Sequence, residues 1–203
     1  MIDKTIKLAS YYDNNGYLKN VTIEGYEKML EDQDKSSIAD FIYGRLHSRY
    51  IKPFSFENNN FTKEYKNGFA MMANYCLLIE TLESFKNGWG DSDRKSGDAF
   101  KQFFSTDPNF TELANKGTQI YKNIRCGILH QGETTGGWKI TRTGNQFYNE
   151  STNTIDAYIF SEKIEKSLSD YKRKLIKEEW DSKIWDNFRV KMRKIISNCE
   201  KLA

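Results

Sequence analysis

Proline, cysteine and histidine are scarce in this sequence, and each scarcity removes a class of structure. Only Pro53 and Pro108 interrupt 203 residues. That leaves room for long helices, because proline lacks a backbone donor and clashes with the preceding turn. The three cysteines, Cys76, Cys126 and Cys199, are odd in number, far apart and without a C-x-x-C pair. Neither a disulfide framework nor a thiolate zinc site is expected, and reduced thiols fit a cytoplasmic protein. No run of about 18 apolar residues occurs, so no membrane span is expected. The first 16 residues hold no continuous apolar core of signal-peptide type. H-E-x-x-H, a phosphate-binding glycine loop and G-x-S-x-G are all missing, as is any His/Cys/Asp/Glu group at ligand spacing. No metal and no cofactor are therefore expected.

What is present is enough to build a core. Apolar residues make up 38% and aromatics 14%. The low mean hydropathy, -0.75, comes from abundant Lys, Glu, Asp and Asn. The net charge is +3 and uneven: residues 161–203 carry 12 Lys/Arg against 8 Asp/Glu, and the first 160 carry 19 against 20. The basic tail reads as a mixed-charge helix face, with a weak RNA-facing patch as the alternative, and a near-neutral body argues against tight nonspecific nucleic-acid binding, which rests on many phosphate contacts.

The pattern predicts a mainly α fold. Ile2 to Tyr12 reads as a strand or short helix, Asn14-Asn15-Gly16 as a turn, and Thr22 to Leu30 as a short helix capped by Thr22. Ser36 or Ser37 caps the next helix, stopped by Pro53. After a polar loop at Glu57–Asn60, Thr62 caps a long helix over 63–86. Its middle, AMMANYCLLIETL, is apolar nearly all round, which marks a central helix. A short helix follows over Ser96–Phe104. Pro108 then starts a helix over 109–131 with a stripe at Leu113, Gly117, Ile120, Ile124 and Ile128. Gly132 and Gly136-Gly137 end it. Alternating residues from Trp138 to Phe160 read as a small β-hairpin or meander of undecided register. Ser161 caps a helix to Lys177, and Ser182 caps the last, to Cys199. The expected organisation is an extension, 1–35, packed on a helical domain, 36–203, with the β insertion at about 138–160.

With two histidines, placement matters. His47 lies between Arg45 and Arg49 in GRLHSRY, where a phosphate contact and an ordinary exposed helix face compete. His130 closes Arg125-Cys-Gly-Ile-Leu-His130. At about 100° per residue, Arg125 and His130 flank the face opposite the apolar stripe, about 140° apart around the axis. Cys126 and Leu129 lie between them, so that face suits a second helix or subunit. RNA cleavage by 2′-hydroxyl attack needs proton transfer and charge stabilisation. Histidine titrates near neutrality, and arginine grips two phosphate oxygens. Glu80, inside the central apolar run, needs a partner, and Arg125 is a candidate. Tyr121, one turn before Arg125, could stack on a base, and Gln131 and Glu133 could line the rim. Trp180 and Trp185 read as core or dimer contacts.

The R-x4-H pattern at Arg125 and His130, late in an amphipathic helix that follows a buried one, resembles the HEPN superfamily. The resemblance covers roughly residues 36–200, with its specific part six residues long. It implies a HEPN-like helical bundle, often a homodimer, and in many members a metal-independent endoribonuclease of a toxin–antitoxin or phage-defence system. Arg125 and His130 would then be the catalytic pair, RNA the substrate, and an antitoxin or defence-system protein a possible partner. Cys126 stands where active members often carry Asn, Asp or His. The alternative is a non-catalytic module of the same fold that binds RNA, a nucleotide or a protein.

Overall fold

A computed structural model describes residues 2–13, 15–55, 64 and 66–200. In chain order the main elements are β1 (Lys7–Tyr12), β2 (Leu18–Thr22), α1 (Ile23–Glu31), α2 (Lys35–Tyr50), α3 (Gly68–Asn87) and α4 (Ser96–Thr106). A 3-10 segment, Pro108–Leu113, precedes α5, residues 117–131, which joins Gly117–Ile120, a π-helical turn Tyr121–Arg125 and Cys126–Gln131. Then come β3 (Lys139–Thr141), β4 (Tyr148–Asn149), β5 (Thr154–Asp156), α6 (Ala157–Lys177) and α7 (Lys183–Ser197). The fold is mainly helical with a small β insertion, as the sequence pattern predicts. The expected Thr62 cap, the polar loop at 57–60 and the start of the central helix at 63 lie outside the described residues. Residues cluster into two units, one from 1–49, 84–91 and 168–203, the other from 50–83 and 92–167.

In the first unit, the Ile2–Tyr12 stretch forms a strand only over Lys7–Tyr12. The turn at 13–17 is tied by Asp13, whose carboxylate accepts from the Asn15 and Tyr17 amides, each at 2.9 Å. The chain then returns as β2, antiparallel to β1, a strand the sequence reading did not assign. Thr22 caps α1 as expected, its hydroxyl accepting from the Gly25 amide at 3.1 Å. Helix α2 is capped by Asp34, not by Ser36 or Ser37. Its carboxylate accepts from the Ser37 amide at 3.0 Å, and both serines fall inside the first turn. The core gathers Tyr26, Phe41, Phe85, Tyr171, Trp185 and Phe188. Trp185 is fully buried, donates to the Leu175 carbonyl at 3.0 Å and packs on Trp180 at 4.7 Å, a core contact. Ser182 precedes α7 without a side-chain capping bond, and the helix stops at Ser197, two residues short of expectation.

In the second unit, an aromatic cluster of Tyr75, Phe100, Phe103, Phe104, Phe110, Phe147 and Phe160 forms the core, with Phe110 and Phe160 only 4.9 Å apart. The predicted helix over 109–131 is not one helix. Pro108 occupies the first turn of a separate 3-10 segment, whose start is held by Asp107 accepting from the Asn109 amide at 3.0 Å. The apolar stripe survives the break, because Leu113, Gly117, Ile120 and Ile124 are all buried, and Ile128 is half-buried. Gly132 adopts a left-handed φ of 70° and ends α5, as predicted.

The β insertion contains a hairpin but is not a meander. β4 and β5 are antiparallel, while β3 joins the other edge of β5 in parallel. It ends at Asp156, not Phe160. Asp156 is fully buried, and its carboxylate accepts the Thr143 and Gly144 amides at 2.6 and 2.9 Å, and the Tyr158 and Ile159 amides at 3.0 and 3.1 Å. It therefore caps α6 and fastens the loop after β3 at once. Ser161 is not the cap; it lies inside α6, its hydroxyl accepting from Tyr75 at 2.7 Å. Burial opposes the charge on Asp156, yet the amides of Gly144, Ile159 and Thr143 outweigh it and hold the carboxyl below its ordinary pKa.

Candidate functional site

The site is built where α3 meets α5. A carboxylate in an apolar helix must be paired or it costs several kcal/mol, on the order of a lost charge-assisted bond. Glu80 is only 6% exposed, and Arg125, Ser92 and Ser96 all donate to it. Arg125 Nε donates to Oε1 at 2.8 Å, and Ser96 Oγ and Ser92 Oγ donate to Oε2 at 2.9 and 3.3 Å. The expected pairing of Glu80 with Arg125 is present. Ser92 and Ser96, between α3 and the first turn of α4, were not foreseen, since short loop serines carry no pattern of their own.

The manner of the grip matters more than its existence. Arg125 is held through Nε, side-on, so the two terminal amino groups are not committed to Glu80. The guanidinium Cζ lies over the Tyr121 ring, 5.7 Å from its centroid. Burial works against the charge on Arg125, but Glu80 and then Cys126 together more than offset it, so the guanidinium pKa lies above its ordinary value. Tyr121 is half-buried and packs on Phe100 at 5.6 Å. Burial, followed by the neighbouring Cys126 thiol, pushes its phenol up. Cys126 is half-buried within reach of both Tyr121 and Arg125, and Cys76, one turn before Glu80, is fully buried, which pushes its thiol up.

His130 is in a different situation. It is exposed in the last turn of α5, next to Leu129 and Gln131, which are also exposed. Among the described residues its ring makes no side-chain hydrogen bond or ion pair. The stretch from Cys126 to Gln131 is regular α-helix, so the separation of Arg125 and His130 stays about 140° around the axis. Arg125, Glu80, Tyr121 and Cys126 thus come together; His130 and Gln131 stand apart from them.

His47 makes no phosphate site with its neighbours. Arg45 is 9% exposed, His47 stacks on Tyr43 at 5.4 Å, and Arg49 donates to the Leu8 carbonyl at 3.2 Å. Nor is that stretch a plain exposed face. Asn74, also on α3, returns its amide to the Ala70 carbonyl at 2.9 Å. Among the described residues, no group of three His, Cys, Asp or Glu could hold a metal ion, and no helix is long and apolar enough to cross a membrane.

The arrangement can bind an oxyanion at the terminal amino groups of Arg125, with the exposed His130 ring one and a half turns away. No protein-family profile, curated protein or solved structure matches the chain.

Proposed function

We propose that the chain is a metal-independent endoribonuclease of toxin or phage-defence type, which cleaves RNA at a site shared by two copies of the chain. The observation that carries this reading is the side-on grip of Glu80 on Arg125. It fixes the guanidinium and leaves its terminal amino groups for two phosphate oxygens, the geometry in which arginine binds phosphate best. Five residues on, His130 is exposed and open to substrate. The R-x4-H resemblance to the HEPN superfamily supports the same assignment.

The chemistry follows from these two groups. His130 takes the proton of a ribose 2′-hydroxyl as its oxygen forms a bond to the adjacent phosphorus. Arg125 stabilises the charge that develops on the phosphorane oxygens. The bond to the 5′-oxygen breaks, and that oxygen takes a proton from solvent. The products are a 2′,3′-cyclic phosphate and a 5′-hydroxyl. Because Arg125 and His130 of one helix point in different directions, two helices must face each other. In the second unit, Leu77 and Leu129 are the large apolar side chains left exposed among the described residues, at 39% and 44%. Each lies within about one turn of the Glu80–Arg125 bond, on the same side of its own helix, where burial against a second copy would be favourable.

A non-catalytic module is the second reading, and Cys126 favours it, since it follows Arg125 where active members often carry Asn, Asp or His. The test is cleavage of a labelled mixed RNA pool in EDTA by the wild type, Arg125→Ala and His130→Ala. Cleavage by the wild type alone, with both variants folded, supports the ribonuclease. No cleavage, or equal cleavage by all three, moves the assignment to binding without chemistry.

A further inference from the structure

The register of α5 at Arg125 is not that of an ordinary helix. At its start the helix is α-like, with the Tyr121 amide bonding the Gly117 and Thr118 carbonyls. The Cys126 amide then reaches back five residues to Tyr121, and at the far end Gly132 again bonds four residues back, to Ile128. One residue has been inserted, so everything after the wide turn is rotated by about 100° relative to a straight α-helix. The upstream end cannot rotate to compensate. A Cβ on Gly117 would lie 2.6 Å from the Phe100 carbonyl, so the helix is flush against the backbone of α4. Whether Arg125 meets Glu80 is therefore decided by the wide turn.

A π turn is rare because it displaces a carbonyl from the helical ladder, and it persists where something outside the helix supplies a partner. That supply comes from the loop after His130. The Thr135 amide donates to the Asn123 carbonyl at 2.9 Å, inside the turn, and the Thr135 hydroxyl donates to Asn123 Oδ1 at 3.0 Å. The loop can lie this close because two helix-facing positions lack a side chain. A Cβ on Gly127 would sit 2.5 Å from the Glu133 carbonyl, and one on Gly136 would sit 2.6 Å from Asn123 Oδ1. The far end of the loop is pinned by Thr134, whose hydroxyl donates to the Trp138 carbonyl at 2.6 Å, and by buried Trp138 stacked on Tyr148.

We infer that Asn123 and Thr135 are positioning residues: they clamp the β-insertion loop onto α5, hold the π turn open and so deliver Arg125 to Glu80. The inference rests on reading Arg125 as the phosphate-binding group, and it assigns the β insertion a task, to brace the motif helix. Its signature is the Arg125 Nε–H, which is hydrogen-bonded only in the clamped register and can be followed by ¹⁵N NMR without RNA. Glu80→Ala identifies the signal by removing its acceptor. Gly136→Ala pushes the loop from Asn123, and Thr135→Val removes the hydroxyl donor, while Thr135→Ser keeps it.

The expected result is Nε–H exchange about tenfold faster in Thr135→Val, the effect of one lost hydrogen bond, larger in Gly136→Ala, and wild-type in Thr135→Ser. Should Gly136→Ala disturb the insertion itself, the Val and Ser pair at 135 still decides. Unchanged exchange in Thr135→Val, or equal acceleration in Thr135→Ser, overturns the clamp. A wild type that shows this pattern but never cleaves RNA would sink the ribonuclease reading and leave the clamp standing.

Discussion

Arg125 and His130 sit on one helix five residues apart, yet their surroundings are opposite. The arginine side chain is 18% exposed and tied to a carboxylate that two serines also hold. The histidine stands in water at the helix end. A buried charge network commits a side chain to one geometry, because breaking it leaves an uncompensated ion. An exposed ring commits to none until something binds it. The comparison separates a group arranged in advance from one that substrate or a second copy must arrange.

The largest expected effect is on chemistry. Arg125→Lys should lose cleavage as fully as Arg125→Ala, by about 10²-fold or more, because lysine has neither a side-on Nε grip nor a two-pronged end. Near wild-type rates in Arg125→Lys would reduce Arg125 to a point charge. Next is Asp156, which holds both the insertion and the start of α6. Asp156→Ala should cost about 2–4 kcal/mol in denaturant unfolding, one cap plus the orphaned loop amides. Its folded pKa lies below the unfolded value, so its contribution is complete above the unfolded pKa of about 4 and fades as pH falls through the folded one. A wild type that loses no stability below pH 4 relative to Asp156→Asn would contradict that sign.

Stability then tells the two motif residues apart. Arg125→Ala takes the cation from buried Glu80 and should cost about 1–3 kcal/mol, whereas His130→Ala should stay within about 0.5 kcal/mol. Equal costs would erase the contrast on which the comparison rests. The smallest effect is expected at Leu129, where Leu129→Ser should leave folding nearly untouched but weaken self-association in sedimentation. An unchanged sedimentation coefficient at all concentrations would remove that leucine from the interface.

The sequence was legible where one residue had one demand. Glu80 stood out as a carboxylate in an apolar run, Thr22 as a cap before a periodic segment, and Gly132 as a stop. It was not legible where the answer depended on distant chain. Nothing in Tyr121–Arg125 distinguishes a π turn from an α turn; the deciding bonds come from Thr135, twelve residues beyond Asn123. Tyr158-Ile159-Phe160 looked like strand because aromatic and β-branched residues serve both structures, and Asp156 settled the matter by capping a helix there. The parallel pairing of β3 with β5 likewise joins segments that local alternation cannot order.

A shared site makes one demand that a self-contained one does not. Arg125→Ala and His130→Ala proteins, each inactive alone, should regain part of the wild-type cleavage when mixed and allowed to exchange subunits, because one copy supplies the arginine and the other the histidine. A mixture that stays inactive beside an active wild type would contradict a site built from two copies.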